Sequence, residues 1–198
     1  MVFDRDDEYV QEVFERVTLG DEEVESKEFD TCTFKNCSFS ETRFLSCKFL
    51  NCKFEDCELH LIRVYQSSFA SVSFLRSKVI GVNWIDAYWS KKGLLNSIRF
   101  ADSVLNHSTF MGLNLKKMRL TACMARDVDF TEADLTEADC SHTDFTQSRF
   151  NNTNLTRADF RGATNYAISA QFNTVKDARF SLPEAMSLLY GLNIRLDD

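Results

Sequence analysis

The sequence lacks any hydrophobic run that is long enough to cross a membrane. A transmembrane helix needs about 20 mostly apolar residues in a row, and no stretch of this 198-residue chain approaches that length. Residues 1–6 are acidic and lack the apolar segment of a secretion signal. Because seven Cys without such a signal are typical of a reducing compartment, we expect a cytoplasmic protein with no membrane contact.

Histidine is also scarce, and motifs of catalysis are missing. His60, His107 and His142 are the only three, and none lies in a nucleophile or metal-binding motif. Five Cys are spaced in multiples of five residues, which suits buried thiols better than a zinc site: Cys32, Cys37, Cys47, Cys52 and Cys57. We therefore expect a protein that is not an enzyme and that binds neither a metal nor a cofactor.

Basic residues are outnumbered by acidic ones. The chain has 23 Lys and Arg against 30 Asp and Glu, which gives a formal net charge of −7 and a pI near 5.1. Direct binding to nucleic acid needs a basic surface, so this balance argues against it. The sequence instead favours a partner protein with a basic surface.

Glycine and proline are rare as well, with six Gly and one Pro, whereas Phe occurs 18 times. In one stretch the Phe side chains recur every five residues, at Phe29, Phe34, Phe39, Phe44, Phe49 and Phe54. Neither the two-residue period of a strand nor the 3.6-residue period of a helix produces this pattern. A fixed internal period is the signature of a repeat architecture.

Five residues fit one side of a four-sided solenoid. If the central residue of each unit and the residue two places before it point inward, the other three face water and turn the corner. Four sides then close one coil of 20 residues, and the length of the repeat region predicts about eight coils. Coils should stack at about 4.8 Å, so that Phe29 lies over Phe49 and Cys32 over Cys52.

The repeats resemble those of the pentapeptide-repeat family, whose unit is a small residue, a polar residue, Leu or Phe, and two polar residues. The segments Cys32-Thr33-Phe34-Lys35-Asn36 and Ala133-Asp134-Leu135-Thr136-Glu137 are good copies of that unit. The resemblance implies an all-β fold, namely a right-handed quadrilateral β-helix.

The segments that flank the repeats predict two caps on a single domain spanning residues 1–198. Residues 1–26 form the N-terminal cap, with a helix expected from Asp6 to Val17 because its apolar residues form a stripe. The β-helix covers residues 27–181. Ser181 and Glu184 have the spacing of a capping box, so a helix should run to Tyr190 within the C-terminal segment 182–198. Its apolar surface predicts a homodimer through Leu182, Met186, Leu189 and Tyr190.

The five-residue frame shifts once, near residues 84–99. Leu94 is followed by a centre at Phe100, one place late, which predicts one inserted residue and a bulge or short loop. Two interpretations are open. In the first, Trp84 and Trp89 merely fill a widened coil. In the second, an exposed loop contacts a partner through Asp86, Tyr88, Trp89, Lys91 and Lys92.

Charge is unevenly distributed along the second half of the chain. Between Lys91 and Arg126 there are seven basic residues and one acid, whereas residues 127–148 contain seven acids and no Lys or Arg before Arg149. A candidate acidic surface comprises Asp129, Glu132, Asp134, Glu137, Asp139 and Asp144. Four of these Asp precede successive repeat centres and predict an acidic belt around one coil. The belt is either an ordinary solvated exterior or an anionic surface that imitates nucleic-acid phosphates.

Two segments resemble one group within the family, the albicidin- and quinolone-resistance proteins that protect topoisomerases. These are Gly81-Val82-Asn83-Trp84 and the stretch from Ala178 to Ala185 with Ser187-Leu188-Leu189. The resemblance implies a homodimer that binds DNA gyrase or topoisomerase IV by DNA mimicry and protects it from poisons, in antibiotic resistance or self-immunity. The basic residues from Lys91 to Arg126 depart from a uniform mimic. The alternative is a structural adaptor rod that binds a non-topoisomerase protein.

Overall fold

The computed structural model describes residues 3, 6–90, 98–190 and 192, and these form a series of short parallel strands. The strands in chain order are β1 (Glu8–Val10), β2 (Val13–Glu15), β3 (Thr18–Leu19), β4 (Glu23–Glu25), β5 (Glu28–Asp30), β6 (Thr33–Lys35), β7 (Ser38–Ser40), β8 (Arg43–Leu45), β9 (Lys48–Leu50), β10 (Lys53–Glu55), β11 (Glu58–His60), β12 (Ser68–Ala70), β13 (Val72–Leu75), β14 (Lys78–Ile80), β15 (Ile98–Ala101), β16 (Arg119–Thr121), β17 (Asp159–Phe160) and β18 (Arg179–Phe180). Two 3₁₀ turns, Trp84–Asp86 and Glu184–Met186, and one short helix, α1 (Ser187–Tyr190), complete the elements. None of the helices in this described part of the chain is long and apolar enough to span a membrane.

The strands stack into the four sides of a solenoid with about eight turns. Side 1 contains β1, β5, β9 and β12, and side 2 contains β2, β6, β10, β13, β15 and β16. Side 3 contains β3, β7, β11 and β14, and side 4 begins with β4 and β8. Each strand pairs in parallel with the strand one coil away, as Phe29 pairs with Phe49. The predicted all-β solenoid with a 20-residue coil is therefore confirmed.

Rings of the repeat centres form the core. Along one side they stack face to face, with centroids 5.0 Å apart for Phe29 and Phe49 and 4.6 Å apart for Phe34 and Phe54. Rings of neighbouring sides meet edge to face, as Phe29 and Phe34 do at 5.5 Å. Both arrangements are favourable for aromatic quadrupoles. The five evenly spaced Cys are buried beside these rings as free thiols, as predicted.

Small inward-facing hydroxyl groups connect one coil to the next. Ser67 Oγ accepts a hydrogen bond from the amide of Cys47 (2.9 Å) and donates one to the carbonyl of Phe44 (2.9 Å). Similar donations to a carbonyl of the preceding coil are made by Thr42, Ser77, Ser103, Ser108, Thr143, Ser148 and Thr153. These polar side chains can be buried because their hydrogen-bonding groups are satisfied.

The corners explain how a chain with little glycine builds this fold. Among the described residues, twenty-six other than Gly have φ between +48° and +61°, and most lie two places after a repeat centre. The left-handed conformation costs an ordinary L-residue roughly 1 kcal/mol, so the stacked coils must stabilise it. At Gly162 a side chain would not fit, because its Cβ would lie 2.4 Å from Nδ1 of His142.

The expected N-terminal helix from Asp6 to Val17 is wrong. This segment forms β1 and β2, and the first coil begins there, ahead of Lys27. Tyr9 and Phe14 fit the five-residue frame as well as a helical stripe, and as strands they stack on the rings of the second coil. Parallel pairing with that coil satisfies backbone groups that a helix would leave unpaired at the sheet edge.

The side chain of Phe3 covers this end of the aromatic core. Phe3 is 1% exposed and packs edge to face on four rings, those of Tyr9, Phe14, Phe29 and Phe34. The end of the core is therefore closed by an aromatic plug.

The frame shift contains six extra residues, so the expected single insertion is wrong. Phe54 pairs with Phe74 at an offset of 20, whereas Phe74 pairs with Phe100 at an offset of 26. Side 1 continues to Tyr88, whose amide donates a hydrogen bond to the backbone carbonyl of Ser67. Side 2 resumes at β15. The extra residues lie between these points, and the expected centre Leu94 is outside the described residues. An insertion of six residues adds one full five-residue unit plus one residue. The repeat pattern in the sequence therefore shows a shift of only one residue.

The C-terminal helix ends at Tyr190 as predicted, but the capping box is wrong. Ser181 Oγ accepts from the amide of Gly162 (3.2 Å), and Glu184 Oε1 accepts from the amide of Asn165 (2.6 Å). In earlier coils such amides donate to a carbonyl 19 residues later, as His142 donates to Arg161. The two side chains thus replace carbonyls that a further coil would have supplied.

Replacing Thr143 with Val should lower the free energy of unfolding by about 1–3 kcal/mol, because the Cys123 amide loses its buried acceptor. Urea denaturation would measure the change. The outward Thr33→Val is the matched control and should stay within about 0.5 kcal/mol of the parent. Equal losses in both variants would contradict the role of the inward hydroxyl groups.

Candidate partner-binding surfaces

The two Trp of the interrupted coil lie against the core rather than in the solvent. Trp84 is fully buried, and its ring stacks on Phe110 at 5.8 Å. Trp89 is half-buried, and its Nε1 donates a hydrogen bond of 2.7 Å to the carbonyl of Trp84. Tyr88 between them is 57% exposed. Tyr88 therefore offers the accessible aromatic surface of this coil.

Of the other predicted contact residues, Asp86 is exposed and is the last residue of the 3₁₀ turn. Its backbone carbonyl accepts a hydrogen bond from the amide of Gln66 (2.9 Å), so its position is fixed by the preceding coil. Lys91 and Lys92 lie outside the described residues. The structure therefore groups Asp86 and Tyr88 on one coil.

An apolar ladder on side 4 was missed in the sequence. Tyr65, Ile85 and Met111 follow the repeat centres of three successive coils and are 60%, 41% and 44% exposed. Outward positions in a solenoid are normally polar, and contiguous exposed apolar groups commonly mark a contact surface. The available signal was an apolar residue directly after a centre, where the repeat unit calls for a polar one.

The acidic belt surrounds one coil as predicted, but its carboxylates are engaged. The four Asp of the belt lie on four successive sides, and each forms backbone β-bridges with residues of adjacent coils: Asp129, Asp134, Asp139 and Asp144. Each accepts hydrogen bonds from the residue two places later, as Asp134 does from the amide and hydroxyl of Thr136. Three of them also form ion pairs, Asp129 with Arg149, Asp134 with Lys116 and Asp144 with Arg126.

The remaining members of the predicted acidic surface differ from each other. Glu137 lies between Lys117 (3.6 Å) and Arg157 (3.0 Å). Asp139 and Glu132 form no ion pair with any residue in the described ranges. The belt therefore presents less uncompensated negative charge than its sequence suggests.

Asp144 shows how strongly these contacts favour the ionised form. Partial burial would raise its pKa, but hydrogen bonds from Thr146, Asn165 and Arg126 outweigh this and lower the pKa to about 2. The Arg126 bond, from Nε to Oδ2, is 2.7 Å long. Asp144 is thus part of the scaffold as well as of the surface.

Negative charge is concentrated instead at the N-terminal end. Residues 6–30 contain 11 acids and two bases, a net charge of −9, whereas residues 31–198 contain 18 acids and 20 bases, a net charge of +2. We call residues 6–30 the acidic end. Glu8, Glu12, Glu15 and Glu25 are exposed on it. A count of charge in each 20-residue coil would have revealed this surface from the sequence.

The C-terminal end exposes apolar side chains. Leu182 is 77% exposed and Met186 is 38% exposed, whereas Leu189 is half-buried. Leu188 packs against the core and anchors α1 to the last coil. The side chain of Tyr190 lies outside the described part. Three of the four predicted interface residues are thus near one another in the terminal turns, and two are clearly accessible.

Asp144→Asn should lower the free energy of unfolding by about 1–2 kcal/mol at pH 7. A carboxylate whose pKa is depressed in the fold stabilises it above the unfolded pKa near 4, and this contribution is lost as pH falls toward 2. Denaturation of both proteins at several pH values would measure the difference, which should shrink below pH 4. Asp102→Asn is the control, since this exposed corner residue has no side-chain hydrogen bond to a described residue, and an identical pH profile for both variants would contradict the assignment.

Comparison with solved structures shows the same fold in other proteins. A trypsin-treated variant of QnrB1, a plasmid-mediated fluoroquinolone resistance protein, is 16% identical with a TM-score of 0.60, covering 93% of this chain and 100% of that one. Full-length QnrB1 is 17% identical with a TM-score of 0.50, covering 92% of this chain and 100% of that one. No curated protein sequence matches this chain.

A family model provides the direct assignment. The model of the pentapeptide repeat region matches residues 27–97 and 91–160, which together make up more than half of the chain. These ranges contain the inward-facing Phe, Leu and small residues described above. The chain belongs to the pentapeptide-repeat family.

Proposed function

We propose that the protein binds DNA gyrase or topoisomerase IV by imitating duplex DNA and protects the enzyme from poisons that trap its cleaved-DNA complex. The observation that carries this proposal is the acidic end of an unbranched solenoid, with its net charge of −9. The fold shared with a fluoroquinolone resistance protein supports it at the level of architecture.

Charge and shape together suit a DNA-binding groove. About eight coils at about 4.8 Å give a rod of roughly 40 Å, close to one helical turn of duplex DNA at about 34–36 Å. Exposed carboxylates surround the first coil, with Glu8 on side 1, Glu15 on side 2 and Glu25 on side 4. A basic groove would attract this end over distances of about 8 Å at physiological salt.

The interrupted coil would supply the short-range contacts. Tyr88 and the apolar ladder of Tyr65, Ile85 and Met111 are accessible, and Asp86 lies next to them in sequence. Exposed aromatic residues commonly dominate binding energy at protein interfaces. In this proposal the acidic end accelerates docking, and these side chains determine which enzyme is bound.

Occupying the DNA groove has two consequences. Fewer cleaved complexes form for a poison to trap, because the protein and DNA compete for one site. At high concentration the protein should also inhibit supercoiling when no poison is present. The structural adaptor remains the alternative function, and it is favoured by the nearly balanced charge of residues 31–198.

The triple variant Glu12→Gln, Glu15→Gln and Glu25→Gln should bind gyrase about tenfold more weakly than the parent at physiological salt, because long-range attraction depends on uncompensated charge. Binding titrations and supercoiling assays with a poison would measure affinity and protection. The matched control is Glu41→Gln, Asp102→Asn and Glu132→Gln, which removes the same charge from exposed sites elsewhere.

The control should retain affinity within about twofold. Equal weakening of both triple variants would mean that only net charge matters, which would exclude the acidic end as the contact. If the parent protein neither binds nor protects gyrase or topoisomerase IV, the adaptor function is the correct one.

We further propose a homodimer through the C-terminal ends and a right-handed sense of the coil. Leu182 and Met186 expose apolar surface at the point where the solenoid stops, and Leu189 and Tyr190 follow on α1. A twofold axis would let one patch cover its copy. The dimer would present an acidic end at each extremity of a longer rod.

Leu182→Glu combined with Met186→Glu should produce monomers, since charge would be buried without a partner in the contact. Analytical ultracentrifugation at micromolar concentration would measure the mass, and circular dichroism would check the fold. Val10→Glu with Val13→Glu is the control, because these residues are equally exposed at the opposite end. A parent protein that already sediments as a monomer would contradict the proposal.

A further inference from the structure

Side 2 carries a row of basic residues on its outer surface. In the register of β10, β13, β15 and β16, Lys53 faces Ser73, Ser73 faces Arg99, and Arg99 faces Arg119. Lys53, Arg99 and Arg119 are all exposed, and we call them the basic ladder. They account for part of the positive charge that a uniform DNA mimic would not have.

Elsewhere on the solenoid, most charges that face each other across adjacent coils are opposite. Glu8 with Glu28 and Asp139 with Asp159 are like-charged exceptions. Lys48 pairs with Glu28 (2.9 Å), Arg76 with Asp56 (2.8 Å) and Lys78 with Glu58 (2.7 Å). Arg43 and Arg63 also face each other, but Arg43 is neutralised by Asp21 and Glu23. Opposed charges are therefore the rule by which neighbouring coils stabilise each other.

The basic ladder breaks this rule. Arg99 and Arg119 are direct partners in a parallel pair, and like charges at that position destabilise a sheet. No member of the ladder has an ion pair or a side-chain hydrogen bond to another described residue. On its other side Arg119 faces Asp139 of the next coil, which offsets part of this cost. Lys53 and Arg99 face no acidic residue in the register.

The ladder borders a depression of about 340 Å³ on the same side. Small side chains of Ser73, Ala101 and Thr121 leave this space between the longer cationic ones. Two neighbouring guanidinium groups above hydroxyl-bearing residues can bind oxyanions through paired N–H donors. The depression thus has the chemistry of a site for carboxylate or phosphate groups.

We propose that the basic ladder binds the carboxylates of an acidic, extended segment of a protein partner. Duplex DNA is disfavoured, because the chain carries a net charge of −7 and Glu55 lines the same depression. Lys53 and Arg99 are two coils apart, or about 10 Å, and Arg99 and Arg119 are one coil apart, or about 5 Å. Side chains of an extended peptide that point the same way recur every ~6.7 Å, a spacing that flexible Arg and Lys arms can follow.

This site goes beyond the proposed function, which uses the opposite charge at the N-terminal end of the solenoid, whereas the basic ladder lies on its middle coils. A partner with both a basic groove and an acidic segment would be held in one orientation, because reversal would place like charges together.

The test uses the full chain and a fluorescein-labelled decaglutamate peptide, followed by fluorescence anisotropy. We expect saturable binding that weakens with salt and falls about tenfold in the double variant Arg99→Gln and Arg119→Gln. The matched control is Lys48→Gln with Lys78→Gln, which removes two positive charges that already have partners, and it should bind within about twofold of the parent.

Three results would overturn the proposal. These are no saturable binding of the peptide, an equal loss in the control, and tighter binding of a labelled 12-base-pair duplex than of the peptide. The last result would assign the ladder to nucleic acid.

A second readout tests the premise independently of any ligand. Arg99→Gln should raise the melting temperature by about 1–3 °C at low salt, because it removes the like-charge pair with Arg119 and Arg99 faces only Ser73 on its other side. High salt should abolish the gain. Arg157→Gln should lower it slightly, since Arg157 is paired with Glu137 at 3.0 Å. A lowered melting temperature for Arg99→Gln would show that the contact between Arg99 and Arg119 stabilises the fold, and the proposal would fail.

Discussion

The structure depends on backbone hydrogen bonds between coils that are 20 residues apart. Each strand is only two to four residues long, so its backbone groups cannot pair within one side of the coil. Nearly every backbone amide of the strands therefore donates to a carbonyl one coil away. This requirement fixes the register, and the register in turn stacks Phe29 on Phe49 and places Ser67 between Cys47 and Phe44. It also forces ordinary residues into the left-handed conformation at the corners, because each side must turn within one or two residues.

A solenoid held in this way has two open ends, and the chain closes them by different means. At the N-terminal end Phe3 covers exposed rings, which is a hydrophobic solution. At the C-terminal end Ser181 and Glu184 accept hydrogen bonds from amides that lack a further coil, which is a polar solution.

The same register decides which charges are available to a partner. Residues 20 apart come into contact, so an acid and a base at that spacing neutralise each other, as Glu137 and Arg157 do. The acidic belt is largely compensated by bases of adjacent coils. In the first coil Asp7, Asp21 and Glu23 are also paired. The exposed carboxylates of this coil that form no ion pair with a described residue are Glu8, Glu12, Glu15 and Glu25. Candidate functional surfaces therefore lie where the pairing rule fails, at the acidic end, at the basic ladder and at the apolar ladder.

The sequence by itself determined the coil, because a period of five fits neither a helix nor a plain strand and identifies Phe29 to Phe54 as inward centres. It also located the interruption and the end of the last helix at Tyr190. It could not distinguish a helical stripe from two short strands around Tyr9 and Phe14, since both patterns place apolar residues four or five apart, and only contact with the second coil favours strands. Nor could it separate an insertion of six residues from one of a single residue, because the two differ by a whole repeat unit. Tertiary structure alone decided which carboxylates are neutralised, because that depends on side chains in adjacent coils, and so it moved the candidate anionic surface from the belt to the first coil.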